Sequence, residues 1–98
     1  MTVSEGTAIE ITEHALWRFA ERGKRSASDA EIEQMIRAGL AAKRVATTRA
    51  YRPLIPNENG KYDLGPRRKR LFVWNEAADI VFVLFAEDDR FVVKTVLT

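Results

Sequence analysis

Residues 80–85 read Ile80-Val81-Phe82-Val83-Leu84-Phe85, six apolar side chains in a row of which only Leu84 is neither β-branched nor aromatic. A run this short with that composition is a strand, and a strand apolar on both faces belongs in the middle of a sheet with something covering each side. Its neighbours are the runs 67–74 and 90–97, joined to it through Asn75-Glu76-Ala77-Ala78-Asp79 and Glu87-Asp88-Asp89, both of hairpin length. The second of these resembles a metal cluster only in composition. Three adjacent acids at a hairpin tip read as a solvated turn.

Working back along the chain, Val45, Thr47, Arg49 and Tyr51 alternate with Ala46, Thr48, Ala50 and Arg52, which predicts a fourth strand over 45–52. Residues 53–66 hold all three prolines together with Asn59-Gly60 and Gly65-Pro66, so this stretch reads as a long loop rather than an element. Earlier still the period changes to that of a helix. Ser28 and Glu31 have the spacing of a capping box, and Ile32, Met35, Ile36, Gly39 and Leu40 form the apolar stripe of a helix running to about Ala42. Ala15, Leu16, Phe19 and Ala20 mark a first helix, with Thr12 as its N-cap and Gly23 as its stop. The weak alternation over 7–12 fits either a short edge strand or an extended lead-in. The expected fold class is α+β: two N-terminal helices packed on one face of a four-stranded antiparallel β-meander, with or without a short N-terminal edge strand, in one domain spanning 1–98.

Composition narrows the classes of function. With 46% apolar and 31% charged residues the chain has the material for a buried core, which excludes an unstructured tail. No apolar run approaches eighteen residues, and Glu5, Glu10, Glu13 and His14 interrupt the first twenty positions, so neither a membrane span nor a signal peptide is expected and the expected compartment is the cytosol. There is no cysteine and one histidine, which leaves no thiolate nucleophile and a poor start for a metal site; the expectation is no metal and no cofactor.

The net charge of +2 hides a segregated distribution. Residues 43–70 carry nine basic and two acidic groups, against five and seven in residues 1–42 and two and five in residues 71–98. The basic members are Lys43, Arg44, Arg49, Arg52, Lys61 and the consecutive Arg67, Arg68, Lys69 and Arg70. Such a block suits phosphate contacts, and its competing reading is a solvated loop and edge strand kept soluble by charge. Phe72 and Trp74 share a parity and read as core, while Tyr51 is open to either a core or a stacking role.

His14 carries the most chemical information, because imidazole takes and returns a proton near neutral pH. It falls in the first turn of the first helix, with Arg18 and Arg22 following at intervals of four, and all three lie away from the apolar stripe as a line of donors. Cleaving RNA by attack of the 2′-hydroxyl needs a base, cations for the phosphorane and an acid for the leaving oxygen. His14 supplies the base, Arg18, Arg22 and Arg70 the cations, and Thr95, Tyr51 or Tyr62 a hydroxyl donor. No second histidine is present to act as the acid. The plain alternative for His14 is a solvated residue on a surface helix.

The stretch Thr12-Glu13-His14-Ala15-Leu16-Trp17-Arg18-Phe19-Ala20-Glu21-Arg22-Gly23 resembles the T-x-H-A-x-x-R-x-x-E-R-G head of a family of small bacterial and phage proteins of unassigned function. A second helix, a basic strand and the Thr95-Val96 pair near the end are similar to the rest of that family. The order of elements also resembles RelE-type toxins and the wider barnase, EndoU, colicin and RelE group of metal-independent ribonucleases. The resemblance implies His14, Arg18 and Thr95 as a catalytic site, with basic groups of the sheet gripping RNA. Strand parity groups Thr95 with Phe91, Val93 and Leu97 on the face expected to lie under the helices, and turns Lys94 the other way.

The leading expectation is thus a small metal-independent ribonuclease of toxin type. His14, Arg18, Arg70 and Thr95 are its candidate catalytic residues, and Arg22, Arg49, Arg52, Lys61, Arg67, Arg68 and Lys69 bind RNA. A cognate antitoxin or immunity protein is the expected further partner. The alternatives are a non-catalytic module on the same scaffold that binds nucleic acid or inhibits a protein, and an antitoxin-like partner that dimerises through an edge strand.

Overall fold

The computed structural model describes residues 2–4, 6–23, 25–47, 52–64, 70–87 and 90–97. Their elements run β1 (Thr2–Ser4), β2 (Ala8–Ile11), α1 (Glu13–Gly23), α2 (Asp29–Ala41), β3 (Val45–Thr47), β4 (Lys61–Asp63), β5 (Arg70–Asn75), β6 (Ile80–Glu87) and β7 (Arg90–Leu97). The fold is α+β, but its strands form a five-stranded mixed sheet and a separate two-stranded sheet, not a four-stranded antiparallel meander. In the larger sheet the order is β2-β7-β6-β5-β3, with β2 parallel to β7 and every other pair antiparallel.

Two features overturn the meander. β2 lies alongside β7 because Ile9 and Ile11 then turn toward the core, and the Thr12 backbone N–H extends the pairing onto the Val93 carbonyl at 3.4 Å. The second is β4, inside the stretch expected to be a featureless loop. It pairs with β1, which drives Val3 and Tyr62 into the core and lets the Tyr62 hydroxyl donate to the Leu40 carbonyl at 3.2 Å. Among the described residues of the expected strand 45–52, only 45–47 form a strand; beyond them Thr47 N–H donates to the Arg52 carbonyl and Leu54 N–H to the Val45 carbonyl.

β6 sits in the middle as its composition demands. Ile80, Phe82, Leu84 and Ala86 face the helices, where Phe82 stacks on Phe19 at 6.3 Å, while Val81 and Val83 join Ala46 and Phe72 on the second face. Burying Phe19 and Phe82 side by side is worth about 1.5–3 kcal/mol per ring in apolar area alone. α2 begins at the Ser28–Glu31 capping box, and Arg25 donates to Glu31. That guanidinium, together with the Ser28 backbone N–H, holds the Glu31 carboxyl below its ordinary range.

α1 is anchored through Thr12. Its hydroxyl accepts from Ala15 N–H at 3.1 Å, capping the helix, and donates to the Val93 carbonyl at 2.7 Å, tying the cap to β7. Replacing Thr12 by valine keeps the shape and removes both bonds, so urea denaturation should show a loss of about 1–2 kcal/mol.

Candidate nucleic-acid interface

α1 lies beside the second half of β7, beyond the point where β2 stops. Its start is bonded to Val93, Ala15 and Phe19 share the core with Phe91, Val93 and Val96, and Gly23 at its end lies near Ile80. At about 100° per residue the wheel turns Gly23 toward the α2 side, and sets His14, Arg18 and Arg22 along the opposite, outer flank. The expectation that all three lie away from the apolar stripe describes His14 but not Arg18 and Arg22, which are half-buried. His14 is exposed, with its ring 6.0 Å from that of Trp17. Arg18 lies over the same indole at 5.4 Å and donates to Glu21 at 2.9 Å. The Nε atoms of Arg18 and Arg22 are both buried without a hydrogen-bond partner.

Arg70 and Thr95 lie on the other face of the sheet. Leu71 and Val73 point toward α2, so Arg70, Phe72 and Trp74 point away from it. Thr95 reaches this face through a β-bulge: Val83 pairs with Thr95 and Leu84 with Val93, which leaves Lys94 as the extra residue. The bulge reverses the parity of everything after it. Thr95 and Leu97 therefore do not share a face with Phe91 and Val93, and the expected grouping is corrected on that ground.

Lys94, the extra residue, keeps the orientation away from the helices that parity gave it. Lys94 is turned onto the Phe85 ring, its Nζ 5.7 Å from the ring centre, while the Arg70 guanidinium lies 5.8 Å from the same centre. Two cations thus bracket one half-buried aromatic ring on a sheet face. Among the described residues, Lys94 alone of the two has an acidic neighbour, Glu87 at 3.5 Å, and both members of that pair are half-exposed. An exposed pair of this kind contributes about 0–1 kcal/mol, so it yields readily to a phosphate.

The remaining candidates are scattered. Lys61 lies on β4 in the small sheet on the helix side, and Arg52 is exposed beyond β3. Tyr62 is excluded as an accessible hydroxyl donor, being 2% exposed and bonded to Leu40. Arg49, Tyr51, Arg67, Arg68 and Lys69 lie outside the described residues. Trp74, read from sequence as core, is 40% exposed. Among the described residues no three histidine, aspartate or glutamate side chains converge to hold a metal ion, and no helix is long and apolar enough to cross a membrane.

Comparison with protein-family models, with curated proteins and with solved structures returns no match. The chemistry of the side chains therefore carries the functional argument.

Proposed function

We propose that this protein binds single-stranded RNA on the second face of its five-stranded sheet. The observation that carries the reading is the pair of cations, Arg70 and Lys94, set about the Phe85 ring. A strand face that combines aromatic rings with cations can stack bases while neutralising phosphates, and single strands offer both groups at once. The surplus of nine basic over two acidic groups in residues 43–70 supports the same partner.

Titration of a labelled single-stranded RNA at increasing salt tests the reading. The logarithm of affinity should fall linearly with the logarithm of salt, with a slope at least as steep as about −1.4 for two neutralised phosphates. Absence of binding at low salt, or binding indifferent to salt, would overturn it.

The outer flank of α1 favours a second reading, in which the protein is a metal-independent ribonuclease. His14 would remove the 2′-hydroxyl proton as the oxygen attacks phosphorus, Arg18 and Arg22 would stabilise the extra negative charge of the phosphorane, and the P–O5′ bond would then break to leave a 2′,3′-cyclic phosphate, the departing 5′-oxygen taking its proton from water. The head-motif resemblance over residues 12–23 supports it. Against it stands the separation of Arg70 and Thr95 from that flank by the thickness of the sheet. Incubating RNA with wild type and His14→Ala in excess chelator distinguishes the readings. Fragments ending in cyclic phosphate that disappear with the histidine would establish the ribonuclease; intact RNA bound by both proteins would leave binding alone.

A further inference from the structure

We infer that a groove beside Trp74 seats one base of a bound RNA strand, stacked on the indole, with a phosphate of that strand on Lys43. The inference rests on the RNA-binding reading above and assigns it a base subsite. Trp74 lies on the same sheet face as Arg70, four residues further along β5 and so about 13 Å away. A single strand laid along β5 would meet the cation pair first and the indole second.

The groove measures about 230 Å³ and is bordered by Trp74, Lys43, Arg44, Ala46, Pro53 and Glu76. That is below the roughly 300–1,000 Å³ of pockets that enclose a whole small molecule, so it accepts one flat ring system and leaves the rest of the ligand outside. Ala46, 6% exposed, is the small floor that gives it depth. Its charge favours an anion: Arg44 is tied to Glu76 at 2.8 Å, which leaves Lys43 as the net positive group on the rim.

The platform is held in place before any ligand arrives. Trp74 N–H donates to the Arg44 carbonyl at 2.9 Å, and its own carbonyl lies against Gly39 of α2 closely enough that a Cβ there would collide with it. Lys43 has a φ of +60°, the left-handed position after a helix end that glycine ordinarily fills. A lysine held in that conformation projects a charge where glycine would have been easier, and backbone strain of this kind collects at functional sites.

Tryptophan fluorescence tests the assignment. The chain has two tryptophans, so Trp17→Phe leaves Trp74 as the sole reporter. Titration with a single-stranded RNA oligonucleotide should quench it saturably, and an abasic strand of equal length, which carries phosphates without bases, should not. Affinity for the intact oligonucleotide should fall about tenfold in Trp74→Leu, since stacking is worth roughly 1–3 kcal/mol per base. Trp74→Phe should restore most of it, and Lys43→Ala should lower affinity and flatten the salt dependence. Unchanged affinity in Trp74→Leu, or equal quenching by the abasic strand, would overturn the base subsite while RNA binding stands. A wild type that binds no RNA would remove both.

Discussion

Gly39→Ala should lower the stability of the fold by about 2 kcal/mol, although alanine is the better helix former. In an exposed helix the exchange would gain about 1 kcal/mol. At position 39 an added Cβ would come within 2.7 Å of Val73 Cγ1 and closer still to the Trp74 carbonyl oxygen. The carbonyl cannot swing aside, because Trp74 belongs to a strand paired with β6 and its N–H is bonded to Arg44. α2 must lift off β5, and its neighbours Ile36 and Leu40, both buried in the core, lift with it. Overpacking of this kind costs about 1–3 kcal/mol and sometimes more, which outweighs the helix gain. For a domain of this size the expected fall in Tm is roughly 10 °C. Gly23→Ala is the control. Its Cβ would meet the nearest side-chain atoms at 3.6 Å, an ordinary contact, so melting should be unchanged or slightly raised.

Gly39 also shows what the sequence could and could not reveal. The apolar stripe through Ile32, Ile36, Gly39 and Leu40 is local and legible, as is the capping box, because a helix satisfies its backbone within a few residues. β6 is legible for a related reason: a strand apolar on both faces has few other places to go. The errors concern pairing between distant segments. β2 and β7 are about eighty residues apart, and nothing in Ala8–Ile11 states whether its partner runs parallel or antiparallel. β1 and β4 have three residues each, too few for a period to appear, and β4 lies among turn residues. Part of the site was legible by the same logic. His14, Arg18 and Arg22 fall together because helical spacing is regular. Thr95 was misplaced because counting parity assumes an unbroken pleat, and the extra residue Lys94 inverts every side chain after it, while Lys94 itself lies on the face that parity gave it.

Reversing both charges at the proposed RNA face, Arg70→Glu with Lys94→Glu, should reduce RNA affinity by about a hundredfold and make the salt slope shallower by about 1.4. Each substitution removes a cation and adds an anion beside Phe85, so the face repels the strand it formerly held. The fold should tolerate the exchange. Arg70 and Lys94 are exposed, their contacts with Phe85 are worth about 0.5–1 kcal/mol each, and the lost Lys94–Glu87 pair contributes about 0–1 kcal/mol. Melting should therefore fall by far less than binding. Net charge alone is a rival explanation, because four units of charge alter the field around the whole molecule. The same reversal at Lys61 and Arg25 separates the two. Lys61 belongs to the two-stranded sheet on the helix side, and Arg25 precedes α2 with its guanidinium over Phe19. If binding depends on local contacts, this second double variant should keep affinity within a few fold of wild type. Equal losses from both variants would mean that RNA senses only the average charge, and the sheet face would lose its claim to be the binding surface.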